Sequence, residues 1–113
     1  MNKLQQVGKT LEHIAPIAYG VFSTEQDPPY LLMIDEGDTA IYADNKRHLI
    51  VNNITVEHYF NHKDLNIDKQ IDDALENAGL CFSVSGDSYI NSEKLWVRYI
   101  TIQFTTKEEN VND

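Results

Sequence analysis

The first stretch of the chain places hydrophobic residues at three- and four-residue intervals. They are Leu4, Val7, Leu11 and Ile14, and this spacing puts them on one face of an amphipathic helix. We predict that helix over residues 3–13. Gly8 weakens it by about 1 kcal/mol relative to alanine. Pro16 ends it, because the residue before a proline avoids helical backbone angles.

Strand-like runs separated by turn residues follow. A short strand is predicted over residues 17–22, then a polar loop to Pro29, then an apolar strand over residues 30–34. Asp35, Glu36, Gly37 and Asp38 have the composition of a turn, with glycine where φ is positive. Residues 39–43 are therefore predicted to form the returning strand.

A second turn, over residues 44–47, leads into the longest strand, residues 49–60. Strict alternation assigns its side chains to two faces. One face holds Ile54, Val56, His58 and Phe60, and the other holds Thr55, Glu57 and Tyr59. The Asn52-Asn53 pair is predicted to mark a bulge in this strand.

The second helix carries a hydrophobic stripe of Ile67, Ile71, Leu75 and Ala78, with the acidic residues Asp68, Asp72, Asp73 and Glu76 on the opposite side. That pattern predicts a half-buried helix with a solvated acidic face. Asn61 and Asp64 are spaced as a capping box before it, and Asn66 is an alternative cap. Gly79 is the expected stop.

Three shorter strand candidates complete the chain. They cover residues 81–84, residues 89–90 and residues 95–104, with Ser85-Gly86-Asp87 as a turn between the first two. The apolar neighbours of Cys81 predict a buried thiol. The order of elements predicts one α+β domain over residues 1–106, with a polar tail at 107–113. Its sheet should be mostly antiparallel, with four to six strands and two helices packed on one face.

Charge narrows the classes of function. The chain has 18 acidic and 9 basic residues and a formal charge of −9, which argues against a protein that grips nucleic acid through its phosphates. The compact basic group Lys46-Arg47-His48 is interpreted as a turn tip.

A single cysteine cannot form an internal disulfide. We find no signal-peptide pattern and no apolar run long enough to cross a membrane, so an intracellular protein is expected.

Histidines and carboxylates offer the candidate chemistry. His48 and His58 lie ten positions apart on one predicted strand, roughly 33 Å, so they cannot share one zinc ion with His62. The carboxylates of the second helix are expected to be solvated rather than catalytic. The acidic turns lack the ligand spacing of a calcium loop, and no phosphate-binding or nucleophile motif is present. We therefore expect a protein that is not an enzyme and has no catalytic, metal or cofactor site.

The order of short motifs resembles a known family. The motifs are Ile17-Ala18-Tyr19-Gly20-x-Phe22, Pro28-Pro29-Tyr30, Tyr42-Ala43-Asp44-Asn45, Val51-Asn52-Asn53-x-x-Val56-Glu57-x-Tyr59, Lys63-Asp64 and Ile71-x-x-x-Leu75. Together they are similar to the small tail-terminator or tail-completion proteins of long-tailed phages and prophages of Gram-positive bacteria. The resemblance covers about residues 14–104, and the chain departs from the family pattern at Ile54 and His58.

This resemblance implies a structural role. Such proteins form a hexameric ring on the head-proximal end of the tail tube, stop its growth and join it to the filled head. The implied partners are further copies of the chain, the tail-tube protein and head-completion or connector proteins, with DNA only passing through the lumen and no membrane involved. The implied location is the host cytoplasm during assembly and then the virion neck.

A closed ring needs two different complementary patches on each subunit. The predicted turns would project from the sheet and supply them. One is acidic, with Asp35, Glu36 and Asp38; the other is mixed, with Asp44, Asn45, Lys46 and Arg47. The alternatives are another neck component, such as a head-completion or connector protein, a small monomeric binding module, or a small hydrolase or metal protein.

Overall fold

Two helices and five strands make up the fold of the described residues. The computed structural model describes residues 2–107. Its elements are α1 (Lys3–Leu11), β1 (Ile17–Tyr19), β2 (Tyr30–Ala43), β3 (Lys46–Phe60), α2 (Leu65–Asn77), β4 (Cys81–Ile90) and β5 (Leu95–Lys107). The strands form a single sheet in the order β1-β2-β3-β5-β4. Lys107 ends β5, and the rest of the tail predicted at 107–113 lies outside the described residues.

The hydrophobic core lies between one face of the sheet and both helices. Strict alternation along β3 buries every second side chain from Ile50 to Phe60, as period-2 geometry requires. Two of them, Ile54 and Val56, belong to one core cluster with the helix stripes. The cluster includes Val7 and Leu11 of α1 and Ile71 and Leu75 of α2. The predicted α+β architecture, a mostly antiparallel sheet with two helices on one face, is confirmed.

Polar caps fix where each helix begins. The Asn2 side chain accepts a hydrogen bond from the Gln5 backbone N–H, and Gln5 bonds back to the Asn2 backbone, which completes a capping box on α1. On α2 the cap is Asp64, which accepts from the N–H groups of Asn66 and Ile67. The predicted Asn61 cap is therefore wrong, because the chain stays non-helical until Asp64.

The acidic turn predicted at residues 35–38 is also wrong. Asp35, Glu36 and Asp38 lie inside β2, which runs for 14 residues and pairs antiparallel with β3 along its length. The pairing shifts between Asp35 and Gly37, so Glu36 is an extra residue in a β-bulge. Gly37 takes a φ of 100° there, a conformation that glycine adopts without a steric penalty. The glycine marks a bulge rather than a reversal of the chain.

Three smaller expectations need correction. β1 ends at Tyr19 and pairs parallel with β2, so these two neighbours do not form a hairpin. Residues 81–90 form one strand, and the predicted turn at Ser85-Gly86-Asp87 is a register shift within it. Cys81 is exposed rather than buried, because β4 is an edge strand and Cys81 pairs with Gln103 on the face that the helices leave open.

Candidate functional site

The hairpin of β2 and β3 ends in a tight turn at the far end of the molecule. Asp44 and Asn45 both have positive φ, 53° and 64°, which is typical of a two-residue type I′ turn. Lys46 and Arg47 begin β3, and all four residues are exposed. Tyr42, just before the turn, is 64% exposed. The mixed turn predicted from the sequence is therefore present as a projecting tip.

The acidic group Asp35, Glu36 and Asp38 lies elsewhere, beside the start of α1. The Lys3 Nζ lies 2.9 Å from Asp35 Oδ2 and also contacts Asp38. The Lys3 ammonium and the Gly37 backbone N–H lower the pKa of Asp35. Burial opposes the charged form of Lys3, yet its two carboxylate partners raise its pKa overall. Two of the three acids therefore hold α1 against β2, and the acidic group and the hairpin tip are separate surfaces.

Apart from the three-residue edge strand β1, two long strand edges have no partner strand among residues 2–107. β1 pairs with β2 only at Leu31, Leu32 and Met33, so residues 34–43 of β2 have a free outer edge. β4 closes the other side of the sheet and pairs only with β5. It is 10 residues long, the same length as the free part of β2. Unpaired edges of this length are templates for another strand.

The sheet face opposite the helices is nearly uncharged. Its central positions include Tyr30, Leu32, Thr55, Glu57, Tyr59, Tyr99, Thr101 and Gln103. Tyr30 stacks on Tyr59 with ring centroids 5.1 Å apart. The Tyr59 hydroxyl donates a 2.9 Å hydrogen bond to Glu57, and partial burial with this carboxylate raises the pKa of Tyr59. In a chain of charge −9, this face offers hydroxyl, amide and aromatic groups.

A buried polar cluster lies between β3, β5 and α2. His58 is 2% exposed and Arg98 is 3% exposed, so both side chains are buried. The Arg98 guanidinium lies 2.6 Å from Asp72 Oδ1 and 3.4 Å from Asp68 Oδ1. The expectation of a wholly solvated acidic face on α2 is therefore wrong at Asp68, whose side chain is only 14% exposed.

His58 lacks a hydrogen-bond partner in the described part of the chain, at both ring nitrogens. Its Nδ1 is 3.6 Å from Asp68 Oδ1, beyond hydrogen-bond distance. Burial lowers the pKa of His58 to about 4 despite the nearby Asp68 carboxylate. The imidazole is therefore neutral at pH 7.

The sequence analysis did not single out Arg98. Its position between Trp96 and Ile100 on one strand face placed it toward the core.

A pocket of about 470 Å³ opens beside this cluster, between the end of β3 and the first turn of α2. His58 and Phe60 line it from the sheet, Pro29 lines one side, and residues 61–67 line the other. The exposed His62 lies at this pocket, whereas His48 is near the hairpin tip at the opposite end of β3. Among residues 2–107, no three His, Cys, Asp or Glu side chains converge as metal ligands.

None of the helices in the described part of the chain is long and apolar enough to span a membrane.

No protein-family model matches the chain, and no curated protein sequence matches it. The fold is similar to that of a chain in a solved structure of the virion of a native gene transfer agent particle. The TM-score is 0.53 at 10% sequence identity, over 93% of this chain and 91% of that chain. At this identity the similarity concerns the fold.

Proposed function

We propose that this chain is a structural protein of a phage or phage-like virion, acting as a tail terminator that caps the tail tube as a hexameric ring. The observation that carries this proposal is the pair of free strand edges, one on each side of the sheet. The fold similarity to a chain of a gene transfer agent virion and the resemblance of the motifs to tail terminators support it. The role needs no catalysis and no cofactor.

The two edges suit a closed ring because they are different surfaces, and because the strands that form them, β2 and β4, run in opposite directions. β2, β3, β5 and β4 alternate in direction across the sheet, so β2 and β4 are antiparallel to each other. Rotation about an axis along the strands preserves these directions. β4 of one copy would then add to residues 34–43 of the next as an antiparallel strand. Such a head-to-tail contact generates a ring when the rotation closes.

The strand edges also lie at different heights along the sheet. Cys81, at the start of β4, pairs with Gln103 of β5, which pairs with Asn53 of β3. Asn53 in turn pairs with Gly37, so Cys81 and Gly37 lie in the same row across the sheet. The free part of β2 extends beyond this level to the hairpin tip. Neighbouring copies would therefore be displaced along the strands, which is the stagger that a closed sheet requires. The tips at Asp44–Arg47 would then project from one end of the ring toward the tail tube or the head.

The ring would assemble in the host cytoplasm and remain in the virion neck. A ring with a net negative charge would repel passing DNA rather than retain it. The second candidate is another neck component, a head-completion or connector protein, because the same fold and the same free edges suit either position. Loss of this protein separates the two candidates, since only a terminator limits tail length.

Substitutions on the two edges test the ring. Val84 on β4 is 41% exposed, Ile41 on the free part of β2 is 46% exposed, and Val21 in the loop after β1 is 76% exposed. Lysine on a strand edge blocks the addition of another strand. We expect Val84→Lys and Ile41→Lys each to prevent the wild-type ring from forming on purified tail tubes. Val21→Lys, the matched control, should leave it intact.

Mixing the two edge variants makes the test specific. Each variant keeps the edge that the other has lost, so a mixture should form pairs joined by one intact contact and no ring. Analytical ultracentrifugation and electron microscopy of tube ends would distinguish pairs, rings and single copies. Rings formed by either variant alone, or single copies only in the mixture, would contradict the assembly through these edges.

A further inference from the structure

The pocket between β3 and α2 is lined by a buried imidazole, that of His58, whose ring nitrogens make no hydrogen bond in the described part of the chain. His58 is 2% exposed. Buried polar atoms are hydrogen-bonded in the great majority of cases. An unpaired imidazole on a pocket wall therefore indicates that a hydrogen-bonding group from outside completes it.

The neighbours of His58 define which hydrogen bond is missing. A neutral imidazole has one N–H donor and one acceptor nitrogen. Nδ1 faces the Asp68 carboxylate at 3.6 Å, so the proton is favoured on Nδ1, where a small movement forms an N–H···O bond. Nε2 then carries the lone pair. The occupant of the pocket must bring a hydrogen-bond donor.

The surroundings of the pocket do not favour an anionic group as the one that binds there. Lys63, at the pocket, is already bound by Asp68 at 2.6 Å and by Asp87 at 3.0 Å. The Asp64 carboxylate occupies the first backbone N–H groups of α2, which otherwise attract anions. Both features that would hold an anion are satisfied within the chain. A neutral donor is left as the complementary group.

The rest of the pocket wall combines apolar side chains with the polar residues Asn61, His62 and Asn66. Phe60 and Pro29 lie on one side and Ile67 on the other, with the 73% exposed Leu65 at the rim. The volume of about 470 Å³ is within the range of small-molecule sites, roughly 300–1,000 Å³. Tyrosine and tryptophan combine a flat apolar body with one donor, and they are enriched as anchors of protein interfaces.

We propose that this pocket binds a tyrosine or tryptophan side chain of a partner protein, with its O–H or N–H donated to His58. The site is distinct from the two strand edges, and it exists in a single copy of the chain. Its test therefore does not depend on ring formation, and the failure of one proposal leaves the other standing.

Small aromatic probes test the pocket in solution. We expect p-cresol and 3-methylindole, which match the two side chains, to shift the amide NMR signals of residues 58–67 in the ¹⁵N-labelled protein. Toluene has the same apolar body without a donor and should bind about fivefold more weakly than p-cresol, because one hydrogen bond is lost. The two donor probes also distinguish tyrosine from tryptophan. The Nε2 signal of His58 should move with p-cresol and stay still with toluene.

Two matched variants complete the experiment. His58→Leu keeps an apolar pocket wall and should remove the preference for p-cresol over toluene, whereas His48→Leu, on the same strand at the hairpin end, should retain it. Equal binding of p-cresol and toluene to the wild type would overturn the proposal. So would shifts that map away from residues 58–67, no binding of any probe, or the same shifts produced by inorganic phosphate.

Discussion

At the scale of single residues, position on the sheet decides the state of each polar group. His58 and Tyr59 are adjacent in sequence and lie on opposite faces of β3. His58 is buried against α2, and its pKa falls to about 4, whereas Tyr59 shares its hydrogen bond with Glu57 on the open face. Alternation in the sequence could predict the two faces. It could not predict that Arg98 and Asp68 come close to His58, because these contacts depend on how α2 packs across the sheet.

Burial of His58 should make the protein less stable in mild acid. The pKa is about 4 in the folded chain and about 6.5 when unfolded, so the unfolded chain binds more protons between these values. Stability is then complete above pH 6.5 and is lost as pH falls toward 4. We expect the free energy of unfolding, measured with urea, to fall by about 2 kcal/mol between pH 7 and pH 5 from this residue.

Variants assign that loss to one residue. His58→Leu should remove most of the decrease between pH 7 and pH 5, while His48→Leu, at the exposed start of β3, should preserve it. A decrease that persists unchanged in His58→Leu would show that another group causes it.

At the scale of elements, the sequence was informative where one pattern ran without interruption. The hydrophobic stripes predicted the start of α1 and the buried face of α2, although neither Asn61 nor Asn66 is the cap of α2. Alternation predicted β3 and most of β5. The sequence analysis divided β2 into two strands with a turn between them, because Asp, Glu and Gly are common both in turns and in bulges. Only pairing with β3 distinguishes the two. The parallel pairing of β1 and the exposure of Cys81 depend on strand order, which local patterns do not encode.

The turn of the β2–β3 hairpin is a direct test of the element that carries the projecting tip. Asn45 has a φ of 64°, which glycine adopts freely and a β-branched residue adopts only with strain. We expect Asn45→Gly to keep or slightly raise the free energy of unfolding, and Asn45→Val to lower it by about 1–2 kcal/mol. Urea unfolding measures both. Equal stability of the two variants would mean that the chain reverses through a different turn.

At the scale of the whole molecule, a long sheet with helices on one face leaves four surfaces for partners. These are the two strand edges, the hairpin tip and the nearly uncharged sheet face that holds Tyr59 and Tyr99. The sequence predicted the tip and placed Asp35, Glu36 and Asp38 on a second projecting turn. In the structure Asp35 and Asp38 instead contact Lys3 of α1, and Glu36 lies in the bulge of β2. The interface role of both groups, Asp35, Glu36 and Asp38 as well as Asp44, Asn45, Lys46 and Arg47, stays a prediction.

Electron microscopy of lysates from the parent phage or prophage with this gene deleted tests the terminator role most directly. We predict DNA-filled heads beside separate tails of abnormal or uncontrolled length, because nothing stops the addition of tube subunits or joins the tail to the head. Heads that lose DNA while tails keep their normal length would move the protein to the head side of the neck. Normal joined particles would contradict a role in the neck altogether.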